Sequence, residues 1–77
     1  MASNTPRPRL RTLRKSANLT QEDLGNELGL TQGVVSRLEL GEIPFHDGYI
    51  GAYMDRFGCS SDWLLGKSRF GGPGVSQ

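Results

Sequence analysis

The chain is 77 residues long, 35% hydrophobic and 22% charged, a size and balance that allow one small globular domain. It has no apolar run long enough for a membrane span and no apolar stretch behind its N-terminus for a secretory signal; one cysteine and one histidine supply neither a disulfide framework nor a structural zinc site. The net charge of +1 is unevenly spread: residues 1–20 hold five basic side chains and no acid, residues 21–62 hold eight acids against Arg37 and Arg56, and Lys67 and Arg69 follow.

Residues 1–7 show no periodicity and read as a flexible basic arm. Pro8 suits the first turn of a helix, and from it Leu10, Leu13 and Ala17 recur at helical spacing. Asn18 tolerates the left-handed backbone that ends such a helix. Thr20 predicts the N-cap of a second helix, with Asp23 completing a capping box, Leu24 and Leu28 on its inner stripe and Gly29 stopping it. Thr31 then offers another N-cap. The third helix, 31–40, turns Val35 and Leu38 inward and ends at Gly41. Pro44 keeps 41–46 a loop. Asp47 is expected to cap a fourth helix with the face Ile50, Tyr53, Met54 and Phe57, ended by Gly58. Ser60 caps a last short turn holding Trp63, Leu64 and Leu65, closed by Gly66, and residues 69–77 read as a disordered tail. No segment alternates with period two, so the fold class is all-α, five helices and no sheet.

Residues 20–41 carry the chemistry. Two short helices joined by the tight turn Gly29-Leu30-Thr31 make a helix-turn-helix at helices 2–3. Gly25, small and inward, is expected to let the third helix cross closely. At about 100° per residue, Val35 and Leu38 set one face of that helix, and Gln32, Gly33, Ser36 and Arg37 fall on or beside the opposite one. That narrow, polar face starts at the helix N-terminus and suits the major groove of DNA. The basic start of the chain fits either a polyanion partner or a solvated helix face.

The segment Leu19-Thr-Gln-Glu-Asp-Leu-Gly-Asn-Glu-Leu-Gly-Leu-Thr-Gln-Gly-Val-Val-Ser-Arg-Leu-Glu-Leu-Gly41 resembles the Cro and lambdoid phage repressor family of helix-turn-helix regulators, also called XRE-like. Phe57-Gly-Cys-Ser-Ser-Asp-Trp-Leu-Leu-Gly66 is similar to that family's closing helix, and the resemblance spans roughly residues 8–68. It implies a compact five-helix lambda-repressor-like domain that binds double-stranded DNA sequence-specifically and acts as a transcriptional repressor. The setting implied is the cytoplasm of a bacterial or phage-infected cell, at the nucleoid. By the same resemblance, Gln32, Gly33, Ser36 and Arg37 hold the base-reading positions, with Arg37 on guanine or on a phosphate. Gln21 and Thr31, at the two helix starts, and Arg11 and Arg14 would meet phosphates. Arg14 and Glu39 match positions that form a structural ion pair in several relatives. Gly33 offers no side chain where relatives usually carry one, and the loop 41–47 holds two acids and no Lys or Arg. Arg7, Arg9 and Arg11 would follow the DNA backbone or enter a minor groove, or form a solvated arm.

Leu40, Ile43, Phe45 and Tyr49 exceed what the small core needs and predict a homodimer through residues 40–57 or the closing helix, reading an inverted repeat. The competing reading is a protein-interaction module, such as an antitoxin that holds a partner protein. Gly66-Lys67-Ser68 lacks the first glycine and the strand of a phosphate loop, and Cys59, His46 and Asp55 do not make a catalytic triad, because Cys59 matches a buried core position. No enzyme activity, metal, cofactor, small-molecule ligand or membrane partner is expected.

Overall fold

The computed structural model describes residues 7–69, 71 and 72, and among them every regular element is helical. In chain order these are α1 (Pro8–Ser16), α2 (Gln21–Leu28), α3 (Gln32–Leu40), α4 (Asp47–Phe57) and α5 (Ser61–Leu64). The chain divides into two compact units, Met1–Phe45 and His46–Gln77.

In the first unit the helix ends follow from local chemistry. Pro8 stands at the start of α1, where a missing N–H costs nothing, and Asn18 takes the left-handed backbone (φ 58°) beyond its end. The Thr20 hydroxyl accepts the Asp23 N–H at 3.0 Å while the Asp23 carboxylate accepts the Thr20 N–H at 3.2 Å, a complete capping box. Gly29 closes α2 at φ 75° and Gly41 closes α3 at φ 76°. Thr31 caps α3 by accepting the Val34 N–H at 3.2 Å. Leu10, Leu13, Leu24, Val35 and Leu38 are fully buried and form the centre of this unit.

Gly25 allows close packing against the turn backbone that leads into α3. A Cβ at Gly25 would lie 2.7 Å from the Leu30 carbonyl oxygen and 3.2 Å from the Thr31 carbonyl carbon. The turn backbone folds over Gly25, and the Leu30 N–H donates to its carbonyl at 2.7 Å. The glycine therefore fixes the tight turn itself.

In the second unit the N-cap of α4 lies one residue earlier than expected, at His46, so that the helix begins at Asp47. The His46 carbonyl accepts the N–H groups of Tyr49 and Ile50, both at 3.0 Å, which makes His46 the N-cap residue and leaves Asp47 in the first turn. The His46 side chain makes no capping bond; its ring stacks on Tyr49 at 4.2 Å. Tyr53 is fully buried, whereas Met54 is exposed, so the buried stripe of α4 is narrower than the expected face. Ser60 caps α5 by accepting the Trp63 N–H at 3.1 Å. The start of the expected tail is engaged here: the Gly71 carbonyl accepts the Ser60 N–H at 2.8 Å and Gly72 is buried. Phe70 and residues 73–77, also assigned to the tail, lie outside the described residues.

Candidate nucleic-acid interface

The two helix starts that the turn brings together are joined by side chains. The Gln32 amide, first in α3, donates to the Gln21 amide oxygen, first in α2, at 2.9 Å. Gln21 in turn donates to the Glu39 carboxylate at 3.2 Å. Glu39 is buried, and Arg14 grips it with a two-point pair, Nε to Oε2 at 2.7 Å and Nη2 to Oε1 at 3.1 Å. Arg14 also donates to the Leu19 carbonyl at 3.0 Å, where the chain enters α2. A line of hydrogen bonds thus runs from the α1–α2 connection, through the far end of α3, to the exposed tip of α3.

The geometry makes Gln32 a held side chain. A lone exposed glutamine samples many rotamers, and ordering it on binding costs entropy. Here one amide hydrogen is already engaged, which leaves the amide oxygen and the second hydrogen for other partners. Burial of Glu39 carries no uncompensated charge, because a guanidinium fork meets both of its oxygens.

The other candidates are distributed as follows. Gly33 and Arg37 are exposed on α3, and Ser36 is half-buried beside them. Nothing crowds Gly33; the nearest atom to a Cβ there would be the Thr31 hydroxyl, 3.9 Å away. Thr31 is exposed, with its hydroxyl committed to the cap. Arg11 is exposed on α1, whereas the Arg14 side chain is only 11% exposed and turned to Glu39 and Leu19. A shallow depression at the junction of α1, α2 and α3 is bordered by Arg11, Arg14, Gln21 and Ser36.

A helix-turn-helix family model matches residues 10–64. The chain belongs to the XRE-type helix-turn-helix family, that of Cro and the lambda repressor. No curated protein and no solved structure matches it. As an XRE-type protein it is a DNA-binding helix-turn-helix regulator, of a family that is typically non-enzymatic. Among the described residues no helix is long and apolar enough to cross a membrane, and no cluster of His, Cys, Asp or Glu is placed to hold a metal ion.

Two expectations about this XRE-type domain need correction. Arg7 is not part of a loose arm. Its backbone N–H donates to the Glu39 carbonyl and its guanidinium to the Leu38 carbonyl, both at 2.9 Å, with the guanidinium 5.5 Å from the centre of the Phe45 ring. Residues 1–6 of the expected arm lie outside the described residues. Phe45 is buried, with the Arg7 guanidinium over its ring, and so it leaves the expected apolar surface; Leu40 is half exposed, and Ile43 and Tyr49 are intermediate. The Gln21–Glu39 contact was also missed in the sequence. Its only trace there is the match of Glu39 to a position that pairs with Arg14, which does not indicate a second donor.

Proposed function

We propose that this XRE-type domain is a repressor that recognises an inverted-repeat operator as a homodimer, with α3 in the major groove. The observation that carries this reading is the hydrogen-bonded pair Gln21–Gln32 at the two helix starts. Gln32 keeps an amide oxygen and one N–H free, the pair of groups that matches N6 and N7 of adenine. Gln21, at the positive end of α2, would donate its second amide hydrogen to a phosphate. One contact then positions the other: when Gln21 meets the backbone, Gln32 is already set at the base edge.

Arg37 and Ser36, one turn along α3, extend the reading surface, with Arg37 on guanine or on a phosphate. Gly33 brings the α3 backbone close to the groove without a side chain of its own. Arg11 and Thr31 flank the phosphate path, and Arg14 acts chiefly through Glu39. The dimer reading draws on the exposed apolar side chains Leu40, Met54 and Leu65 and on the few base pairs one helix-turn-helix can reach.

Gln32→Ala tests this reading. Binding to the preferred duplex is expected to weaken by about 1–3 kcal/mol, with tolerance at one base position. An unchanged sequence profile would remove Gln32 from the reading surface. A protein-holding module, by contrast, would keep its partner through both Gln32→Ala and Arg37→Ala.

A further inference from the structure

Helix α3 needs more than its own cap to hold its far end. Its last carbonyls face outward, and Gly41 and Glu42 satisfy those of Arg37 and Leu38: the Gly41 N–H reaches Leu38 at 3.2 Å and the Glu42 N–H reaches Arg37 at 2.9 Å. The Glu39 carbonyl lies beyond their reach. Arg7, 32 residues earlier in the chain, supplies the missing donor with its backbone N–H and adds its guanidinium to the Leu38 carbonyl. The Phe45 ring lies under the guanidinium, and partial burial lowers the pKa of Arg7 from its ordinary value. The residue bound at its backbone by Arg7 is the one whose carboxylate holds Arg14 and Gln21.

We propose that Arg7 is a positioning residue for DNA recognition: by closing the last turn of α3 it fixes the backbone of Glu39, and through Glu39 and Gln21 it sets the orientation of Gln32. The proposal rests on the reading of Gln32 given above. It assigns Arg7 no phosphate of its own, although a basic residue near the start of a DNA-binding chain is ordinarily read as one that neutralises the backbone. Its backbone N–H and one guanidinium N–H are engaged by carbonyls at the end of α3, and its positive charge faces the negative end of the α3 dipole.

The test uses the full chain carrying Arg7→Ala or Arg7→Lys. In the free protein, Arg7→Ala speeds amide exchange at Gly41 and shifts the side-chain amide resonances of Gln21 and Gln32. Affinity for the preferred duplex falls by roughly 3- to 10-fold, the scale at which a residue off the binding surface modulates a site. Affinity for a scrambled duplex, and the dependence of binding on salt, stay as in the parent. Both variants keep the backbone N–H to Glu39; Arg7→Lys lies between, because a charged donor for the Leu38 carbonyl is retained but the guanidinium fork is lost. If Arg7→Ala does not fold, Arg7→Lys carries the same comparison.

A salt slope reduced by about 0.9, with equal loss on both duplexes, would make Arg7 a phosphate contact and overturn the proposal. So would unchanged glutamine resonances together with unchanged binding. If the parent protein shows no preferred duplex, the repressor reading fails, and amide exchange at Gly41 with the two glutamine resonances still decides whether Arg7 holds the network.

Discussion

Gln32 is useful to recognition because it is tied down at one edge and free at the other. Its tie, Gln21, is shared with Glu39, so the two glutamines should respond differently to truncation. Gln21→Ala is expected to weaken binding to every duplex through the lost phosphate contact and to weaken the preferred duplex further by loosening Gln32, giving a loss on scrambled DNA and a larger one on preferred DNA in a titration. Glu39→Ala removes the carboxylate that Arg14, 11% exposed, grips; breaking a buried pair from one side costs about 3–5 kcal/mol, and a lowered denaturation midpoint would record it. An unchanged midpoint would make the pair an ornament of the surface. Cys59 gives a pH signature. Burial pushes its thiol pKa up, against a smaller opposing effect of a backbone hydrogen bond. The neutral thiol is therefore favoured in the folded state. This stabilisation is complete below the ordinary thiol range and is lost as pH rises through that range toward the raised value. Unfolding titrations at about pH 7 and about pH 9.5 should show a drop in the parent that is smaller in Cys59→Ala.

At the scale of the element, two glycines in neighbouring helices make opposite predictions. Gly25→Ala drives a methyl to 2.7 Å from the Leu30 carbonyl oxygen, and backbone cannot swing aside as a side chain can. A cost of about 1–3 kcal/mol is expected, with the turn between α2 and α3 opened. Gly33→Ala meets nothing closer than 3.9 Å and replaces a flexible residue within a helix, so the free protein should gain up to about 1 kcal/mol. The same methyl would stand on the proposed reading face. Higher thermal stability with weaker or altered DNA selection is the expected result for Gly33→Ala, and lower stability would contradict the open geometry.

The elements also show why some of the fold was legible in the sequence and some was not. Thr20, Asp23, Gly29, Thr31 and Gly41 act on neighbours within five residues, so their chemistry can be read from the order of residues alone. The start of α4 differs by one because Asp is the stronger capping type, whereas His46 gives only its carbonyl to the first turn and spends its ring on Tyr49. Arg7 read as an arm for a different reason. Its partners lie more than 30 residues away, and one basic side chain leaves no periodic trace of a distant contact. The reading face of α3 was visible in outline, since helical spacing separates Val35 and Leu38 from Gln32, Gly33 and Arg37. The bond between the two glutamines depends on how two helices cross, which spacing within either helix does not encode.

For the whole molecule, the charge distribution and the exposed apolar side chains bear on the same question. A domain with a net charge of only +1 gains little from general attraction to DNA, although five of its basic residues stand within the first 20. Specific contacts and a second copy must then supply much of the affinity. Dimerisation would add them without a new site, and it predicts that the complex on a full operator forms cooperatively with protein concentration, while a single half-site binds weakly. The central claim, sequence-specific reading of DNA through α3, is tested most directly by selecting bound duplexes from a random library at roughly physiological salt, with the parent protein and Gln32→Ala side by side. The account predicts an inverted repeat with half-site centres about one helical turn apart, and relaxation at one position of each half-site in the variant. Binding that enriches no sequence and simply fades with salt would contradict it.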